Sequence, residues 1–342
     1  MSRFLRRSLG ESFGYVPGEQ PPDGEAWIKL NTNESPFPPS SLVSAAIGAA
    51  AVGLNRYPSP SAEPLRTALA AHHRVEIGQI AVGNGADALI DSCFRAFCEP
   101  GSTVALTDPT YSLLAVQARI HDVLTQKVTL GGTEVPAAFA SADVPLRFIV
   151  NPNTPTGAWI DPAALETGLA DATGVVVIDE AYCDFAPRSC VPLLRDHPSW
   201  LVLRTFSKSY ALAGLRVGYA VGAPGLIDDL QAVGESYPVD RCAVAGAGAA
   251  LADHAHHRGL VQEVIGERQR LTDTLADRGW QVTPSHANFI CARPGTGSAA
   301  SVAARLRARR VLVRCFGAGD AGMLRITVGT PAENDALLAA LL

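Results

Sequence analysis

The sequence predicts an α/β protein built around a largely parallel sheet. Between residues 80 and 222, short apolar runs alternate with segments whose apolar residues have helical spacing. Such a β-α-β-α series is typical of a parallel sheet with helices packed against it. Polar residues follow directly after several of the apolar runs. Because open α/β sheets bind ligands at the carboxyl ends of their strands, this pattern also indicates where a site should lie.

The first part of the chain is predicted to be an irregular arm followed by two helices. Pro, Gly, Asn and Ser are frequent in residues 1–40, which favours loop structure. The stretch "SLVSAAIGAAAVGL" has a helical pattern, and "NRYPSPSAEP" is rich in turn-forming residues. A second helix is predicted for "AEPLRTALAAHHRV", where Leu65 and Leu69 share one face.

Strands and helices alternate through the middle of the chain. The segment "QIAVGNGADALIDSCFRAFCEPG" predicts a strand, a glycine turn and a helix, and "STVALTDPTYSLLAVQARIHD" repeats this order with a proline turn. "LRFIVNPNTPTG" predicts a strand that ends in a turn, and "DPAALETGLAD" a capped helix. "GVVVIDEAYCDF" predicts a strand buried on both faces, because residues 174–178 carry no polar side chain. Two further strands are predicted in "WLVLRTFSKS" and "LRVGYAVG".

After about residue 250 the pattern changes to that of a smaller α+β unit. The long helical segment "GLVQEVIGERQRLTDTLADRG" leads into "WQVTPSHANFICARP", and a helix-to-strand segment and a final helix follow. We therefore predict three parts: an N-terminal arm (1–40) that joins the small domain, a large domain (41–250), and a small C-terminal domain (251–342).

Composition and charge argue against several classes of protein. The 342 residues are 47% hydrophobic and 18% charged, so the chain can form a sizeable core. A net charge of -5 argues against a nucleic-acid-binding surface as the main function. No unbroken apolar run reaches the roughly 18–20 residues that a membrane span needs, and the N-terminus lacks the pattern of a signal peptide. We therefore expect neither nucleic acid nor membrane as a partner.

No metal site is predicted. The seven cysteines show no CxxC spacing, which favours reduced thiols and a cytoplasmic location. His72 and His73 lie at a predicted helix end, and three more histidines lie in "DHAHHRG". We interpret them as solvated helix-end residues.

Three strand-end segments carry the groups that point to chemistry. The Gly-rich turn 83–87 precedes a helix, whose first N–H groups can bind a phosphate. Asp179 ends the buried strand, and Lys208 lies among hydroxyl residues eight positions before Arg216. Each feature has an ordinary alternative explanation. The Gly-rich segment could be a simple turn, Asp179 a capping or salt-bridged carboxylate, and Lys208 a surface lysine. Taken together, the three segments place a lysine beside a phosphate site and near a buried carboxylate. This is the arrangement that a pyridoxal phosphate (PLP) Schiff base requires.

Eight segments in order resemble those of class I/II PLP-dependent aminotransferases. They are "LNTNESPFPPS", "NRYPSPSAEPLR", "GNGADALI", "NPNTPTG", "VIDEAYCDF", "RTFSKSYALAGLRVGY", "SHANFI" and "VLVR…LRITVGT". The likeness spans nearly the whole chain and is greatest to the histidinol-phosphate subgroup. It implies the PLP-dependent transferase fold (fold type I) and a homodimer with a shared active site.

The resemblance implies the catalytic groups. Lys208 would form the Schiff base with PLP and then, once freed, move a proton between the substrate Cα and the cofactor C4′. Asp179 would keep the pyridine nitrogen protonated, which preserves the ring as an electron sink. Tyr182 would hydrogen-bond the phenolic oxygen of the cofactor, and Tyr111 would stack on its ring.

The resemblance also implies which residues bind the anionic groups of the cofactor and of the substrate. The cofactor phosphate would be bound by the backbone N–H groups of Ala86 and Asp87 and by Thr205, Ser207 and Arg216, with Tyr57 reaching the phosphate of the other subunit. Arg325 would bind the substrate carboxylate, or the phosphate-bearing end of substrates that lack one. Arg314 would contact the substrate phosphate, and Tyr15 and Asn33 would belong to an arm that covers the site.

The sequence departs from the family pattern near the site. Family members usually read N-P-N-N-P-T-G, whereas this chain has Thr154 where the asparagine that contacts the phenolic oxygen is expected. Either the Thr154 hydroxyl or a redirected Asn153 could make that contact. Pro238 replaces an asparagine common among relatives, in a segment that could line the substrate pocket.

We expect a homodimeric aminotransferase that passes nitrogen from histidinol phosphate to 2-oxoglutarate, as in histidine biosynthesis. A related aminotransferase of an aromatic amino acid or a specialised-metabolite amine is the alternative, as is an enzyme like threonine-phosphate decarboxylase. A PLP-fold sensor of a transcription regulator is a non-enzymatic alternative. It is disfavoured because such proteins carry an N-terminal winged helix-turn-helix, and here only a short arm precedes the fold.

Overall fold

The computed structural model describes residues 4–10, 14–22, 24–317 and 322–342. The strands are β1 (Ile28–Leu30), β2 (Ile80–Asn84), β3 (Thr103–Asp108), β4 (Leu124–Thr129), β5 (Leu146–Val150), β6 (Val175–Asp179), β7 (Trp200–Thr205), β8 (Val217–Gly222), β9 (Gln281–Thr283), β10 (Phe289–Arg293), β11 (Val311–Phe316) and β12 (Met323–Thr327). The α-helices are α1 (Ser41–Ala51), α2 (Glu63–His73), α3 (Gly85–Phe97), α4 (Ser112–Ile120), α5 (Ala137–Ala140), α6 (Pro162–Gly168), α7 (Pro224–Val233), α8 (Arg241–Ala252), α9 (His254–Asp277), α10 (Ala299–Ala308) and α11 (Pro331–Ala340).

The larger sheet has seven strands in the order β2-β8-β7-β6-β5-β3-β4. Strands β3 to β7 pair in parallel, whereas β8 runs antiparallel to both of its neighbours, β7 and β2. The predicted α/β fold with a mostly parallel sheet is therefore confirmed. All strands except β8 end at the same edge, so the polar residues that follow them lie close together.

Both faces of this sheet are covered. In β6, Val176 and Ile178 join one buried cluster, whereas Val177 joins the cluster on the opposite face. This alternation is what the period of two in a strand requires. The uniformly apolar run of this segment reflects burial on both sides, as predicted.

Local capping explains where several helices begin. The Asp161 side chain accepts a hydrogen bond of 3.0 Å from the N–H of Ala163, and Pro162 occupies the first turn of α6. Thr330 and Glu333 form a reciprocal capping box at the start of α11. These residues satisfy N–H groups that the first helical turn leaves without partners.

A second sheet has five strands in the order β1-β11-β12-β10-β9 and its own buried cluster. The prediction of a wholly irregular arm was wrong at β1, because Ile28, Lys29 and Leu30 pair in parallel with β11. This pairing ties the N-terminal segment to the C-terminal part of the chain. The exact domain boundaries at residues 40 and 250 stay a prediction. In the part of the chain that is described, every helix is too short or too polar to span a membrane.

Candidate active site

A cavity opens at the carboxyl edge of the seven-stranded sheet, beside the arm and the five-stranded sheet. It collects most of the predicted site residues, although they are far apart in sequence. Those that line it are Tyr15, Asn33, Ala86, Asp87, Tyr111, Thr154, Asp179, Tyr182, Thr205, Ser207, Lys208, Arg216, Arg314 and Arg325. Asn153 and Tyr57 are the two predicted residues that do not line it.

Asp179 is a buried carboxylate at the end of β6, with 3% of its surface exposed. Its Oδ1 accepts a hydrogen bond of 3.0 Å from the N–H of Ala181. Among the described residues it has no ion-pair partner. Burial raises the pKa of Asp179 to about 6, although the Ala181 N–H opposes this shift. An unpaired buried carboxylate facing a cavity suits a cationic N–H group of a ligand.

Lys208 lies in the turn after β7, and its amine points into the cavity. Its Nζ is 3.4 Å from the carbonyl oxygen of Thr32 and 5.8 Å from the ring centre of Tyr182. Burial lowers the pKa of Lys208 to about 8, and the Arg325 guanidinium acts in the same direction. The lowered pKa makes the neutral amine more accessible than in an ordinary lysine, and the neutral form can act as a nucleophile or a base.

One corner of the cavity, called the anion corner below, contains groups that can bind an anion. The N-terminus of α3 meets the side chains of Thr205, Ser207 and Arg216 there. Arg216 has left-handed backbone (φ 52°), which is uncommon outside glycine, and its Nη1 is 3.4 Å from the Ser207 hydroxyl. A Cβ at Gly85 would lie 2.6 Å from Arg216 Nη2 and would displace this guanidinium, and the left-handed backbone (φ +75°) itself favours glycine.

The Asp87 side chain has a role that its predicted backbone contact did not include. Its Oδ2 lies 3.1 Å from Arg216 Nη2, and its Oδ1 accepts a hydrogen bond of 3.2 Å from the Tyr111 hydroxyl. This carboxylate therefore links the anion corner to the predicted ring-stacking residue. Burial raises the pKa of Tyr111, so its hydroxyl stays protonated and donates.

Tyr182 and Asn33 meet on the opposite side of the cavity. Asn33 Nδ2 donates a hydrogen bond of 3.0 Å to the Tyr182 hydroxyl oxygen, while Asn33 Oδ1 accepts one from Thr327. Asn33 has left-handed backbone (φ 55°) and is fully buried. Both of its side-chain polar atoms are thus engaged, and burial raises the pKa of Tyr182.

Arg325 lies between two aromatic rings in the wall formed by the five-stranded sheet. Its guanidinium carbon is 5.4 Å from the ring centre of Phe289 and 5.3 Å from that of Phe316. Nη2 donates to the carbonyl oxygen of Asn31 at 3.1 Å, and Nε is buried without a hydrogen-bond partner. Arg325 lines the cavity, and a guanidinium there is suited to a carboxylate or phosphate oxygen.

Arg314 lines the same wall but is bound to the N-terminal arm. Its two terminal nitrogens each donate a hydrogen bond of 3.0 Å, to the carbonyl oxygens of Val16 and Pro17. Tyr15 packs edge-on against Tyr111 with ring centres 5.9 Å apart. The arm therefore covers one side of the cavity, as the resemblance implied.

Asn153 and Thr154, the two alternatives for the contact with the phenolic oxygen, lie in different surroundings. Asn153 is buried outside the cavity, and its Nδ2 donates to the carbonyl oxygen of Pro109 and to the Thr156 hydroxyl, both at 3.0 Å. Thr154 lines the cavity. Pro238 lines a separate surface pocket, so within one chain it does not contact the site.

Tyr57 lies on the surface, with 78% of its area exposed, and stacks on Tyr237 with ring centres 4.5 Å apart. It is outside the cavity of its own chain, so any contact with a cofactor requires a second subunit.

Sequence reasoning missed several groups. The Thr32 carbonyl and the rings of Phe289 and Phe316 follow no strand-end pattern, and they approach the site only through tertiary packing. The interpretation of His73 as solvated was wrong, because its Nε2 lies 2.9 Å from the buried hydroxyl of Tyr219. Burial lowers the pKa of His73 to about 3, so this ring is neutral. The described residues include no cluster of three side chains suited to a metal ion.

The chain matches the model of a known protein family over most of its length. The family model "Aminotransferase class I and II" matches residues 25–341. The chain therefore belongs to the class I and II aminotransferase family.

Two relatives show how specific the similarity is. The chain is 43% identical to histidinol-phosphate aminotransferase 2 of Thiobacillus denitrificans, covering 99% of this chain and 97% of the relative. It is 40% identical to the histidinol-phosphate aminotransferase of Synechocystis, covering 98% and 97%.

The fold matches a solved structure equally well. The crystal structure of histidinol-phosphate aminotransferase from Sinorhizobium meliloti in complex with pyridoxal-5'-phosphate superposes with a TM-score of 0.85 at 30% identity. The match covers 92% of this chain and 89% of that one. The predicted fold-type I architecture is confirmed.

Proposed function

We propose that this chain is a pyridoxal phosphate-dependent aminotransferase that takes its amino group from histidinol phosphate and passes it to 2-oxoglutarate. The observation that carries the proposal is the shared cavity of Lys208, the unpaired Asp179 carboxylate and the anion corner. The two full-length relatives with this activity in their names support the choice of substrate.

The residues of the cavity fit the cofactor. Asp179 would pair with its ring N–H, since no cation among the described residues meets this buried carboxylate. Arg216, Ser207, Thr205 and the first N–H groups of α3 would bind its phosphate. Tyr182 and Thr154 would contact its phenolic oxygen, and Tyr111 would lie against its ring.

Lys208 would anchor the cofactor and then act on the substrate. When bound, pyridoxal phosphate supplies an electron sink for negative charge at the amine-bearing carbon of the substrate. Neutral Lys208 Nζ would accept the proton from that carbon and would deliver it to C4′ of the cofactor, so that the amino group stays with the cofactor. Burial and the arginines that lower its pKa favour the neutral form that this role requires.

Arg325 and Arg314 would recognise the substrates. Arg325 lines the cavity and lies close to the rings of Phe289 and Phe316, and its planar guanidinium suits the carboxylate of the 2-oxo acid and the anionic end of the amine donor. Arg314 would offer a second guanidinium to the phosphate. Two arginines on one wall favour an anionic amine over a neutral one.

A homodimer is part of the proposal. Tyr57 is exposed and does not line the cavity of its own chain, so it would contact the cofactor phosphate bound by the partner subunit. A cytoplasmic location is also proposed, supported by seven cysteines that are all free thiols.

A half-reaction experiment tests the proposed substrate. Chain loaded with pyridoxal phosphate is mixed with one amine and no 2-oxo acid, and the visible absorbance of the bound cofactor is followed. We expect histidinol phosphate to bleach this absorbance fastest among histidinol phosphate, phenylalanine and threonine phosphate. A fast response to phenylalanine alone would reject the substrate, and release of carbon dioxide from threonine phosphate would reject transamination.

A further inference from the structure

A buried network of ion pairs lies behind the cavity. Arg204, in β7, is buried, and its Nη1 lies 3.0 Å from Oε2 of Glu180. Its Nη2 pairs with Oδ1 of Asp184. The Asp184 carboxylate also accepts a hydrogen bond from the Ser209 hydroxyl, and His257 Nε2 lies 3.5 Å from it. None of these five residues lines the cavity.

The network includes the residue that immediately follows Asp179 and the residue that immediately follows Lys208. Glu180 follows Asp179, and Ser209 follows Lys208. The N–H of Glu180 also donates a hydrogen bond of 2.8 Å to the carbonyl of Leu203, next to Arg204. Arg204 and Asp184 therefore connect, through side chains, the backbone that carries the carboxylate to the backbone that carries the amine.

The Lys208 side chain has little to hold it in place by itself. Among the described residues, its amine makes one hydrogen bond, of 3.4 Å, to the Thr32 carbonyl. The direction of the side chain thus depends on its backbone, which is anchored on one side by the hydrogen bond from the Ser207 N–H to the Thr205 hydroxyl and on the other by the Ser209 hydroxyl. Although burial acts to raise it, Arg204, the nearby His257 ring and the hydrogen bond from Ser209 hold the pKa of Asp184 well below its ordinary value, so this anchor is an anion.

Stability alone is a weak reason for this arrangement. A buried ion pair gains little net free energy over well-packed apolar residues, because both charges lose their hydration. Networks of this kind do fix one geometry, since each charge must keep its partners.

We propose that Asp184 and Ser209 are positioning residues for Lys208, and that Arg204 ties them to Glu180 so that Lys208 and Asp179 keep a fixed separation. The inference rests on the proposed function, because that function gives Lys208 its role. Neither positioning residue touches the cofactor or the substrate.

The test compares Ser209→Ala, Asp184→Asn and the double variant with a matched control. In the control, Ser40→Ala, another buried serine loses its hydrogen bond to an aspartate, here 2.6 Å to Asp253, away from the cavity. Three quantities are measured on cofactor-loaded protein: the pH at which the visible absorbance changes without substrate, kcat and KM with histidinol phosphate, and the urea midpoint.

We expect Ser209→Ala to shift the absorbance midpoint by about half a pH unit or more, because the amine moves relative to its surroundings. Its kcat should fall roughly tenfold while KM stays within about twofold, as expected for a misplaced reactive group. The double variant should lose no more activity than Asp184→Asn, because the two residues act as one unit. The control should change only the urea midpoint.

Equal absorbance midpoints and kcat values for Ser209→Ala and Ser40→Ala would overturn the inference, as would additive losses in the double variant. If Asp184→Asn does not fold, the comparison of the two serine variants decides alone. The absorbance midpoint needs no amine substrate. Failure of the wild type to react with histidinol phosphate therefore counts against the proposed substrate and leaves this inference to its own measurement.

Discussion

Arg325 donates a hydrogen bond of 3.0 Å from Nη1 to Oγ1 of Thr154. The bond joins the arginine proposed to bind substrate anions to the residue at which this chain departs from the asparagine usual in the family. The Thr154 side chain is also hydrogen-bonded to Tyr182, which acts against the effect of burial on the pKa of that tyrosine. One threonine thus links Arg325 to Tyr182, and all three residues line the cavity.

Replacing Thr154 by valine should weaken substrate binding. The change keeps the shape of the side chain but leaves Arg325 Nη1 without its acceptor, which costs about 1 kcal/mol or more. We expect KM for histidinol phosphate to rise roughly fivefold to tenfold, measured by steady-state kinetics. Thr167→Val is the control, because its hydroxyl bonds only to the Ala163 carbonyl on α6. An unchanged KM in Thr154→Val would contradict the proposed orientation of Arg325.

Replacing Asp179 by asparagine should stabilise the cofactor-free protein near neutral pH. The folded pKa of Asp179, about 6, exceeds its ordinary unfolded value, so the folded state binds more protons between about pH 4 and 6. The free energy of unfolding of the wild type therefore falls as pH rises through this window, by roughly 2–3 kcal/mol. Asp179→Asn has no carboxylate at this position, so its free energy of unfolding does not fall in this way.

Urea unfolding of the cofactor-free proteins at pH 5 and pH 7 measures the difference. The advantage of Asp179→Asn should be larger at pH 7, while its affinity for pyridoxal phosphate should fall. Asp108→Asn is the control, since Asp108 is an exposed carboxylate at the end of β3. If both variants respond to pH alike, the buried Asp179 carboxylate is not the source of the effect.

Replacing Arg314 by glutamine should affect phosphorylated substrates selectively. A charge-assisted contact to phosphate contributes about 1.5–3 kcal/mol, so KM for histidinol phosphate should rise at least tenfold. KM for histidinol, which lacks the phosphate, should change much less. Arg307→Gln separates this effect from loosening of the arm, because Arg307 pairs with Glu19 outside the cavity. An equal rise for both substrates in Arg314→Gln would assign Arg314 to the arm alone.

A mixture of two inactive variants should regain activity if Tyr57 completes the partner's site. Lys208→Ala removes the reactive amine, and Tyr57→Ala removes the exposed ring. In a mixed dimer, one site keeps both Lys208 and the Tyr57 of the partner subunit, whereas the other site loses both. Each variant alone should be nearly inactive, and co-refolding should restore turnover. No recovery despite formation of mixed dimers would place Tyr57 outside the shared site.

The sequence was sufficient to predict much of the site because its reactive groups follow strands. Asp179 ends an apolar run, Lys208 follows the next strand, and Arg216 precedes the strand after that. Their shared edge follows from the rule that parallel strands end together. The glycine turn before α3 could be predicted for the same reason, because it follows β2.

Other parts of the site could not be predicted, because they depend on contacts between distant segments. The rings around Arg325 come from β10 and β11, and their apolar residues look like ordinary core positions in the sequence. Asn153 and Thr154 are adjacent and both polar, so only the folded turn decides which side chain enters the cavity. The pairing of β1 with β11 spans nearly the whole chain and involves three residues, too few for a recognisable strand pattern.

The antiparallel β7–β8 pair has a consequence for how the cofactor would leave. Thr205 lies opposite Gly218, and the N–H of Phe206 donates to the carbonyl of Val217 at 2.9 Å, so the chain between them forms a closed loop. Lys208 and Arg216 both lie on that loop. A ligand bound to both residues would connect the two sides of the loop and stabilise it against local opening. Release of the cofactor and exposure of the loop amides to hydrogen exchange would then be one event.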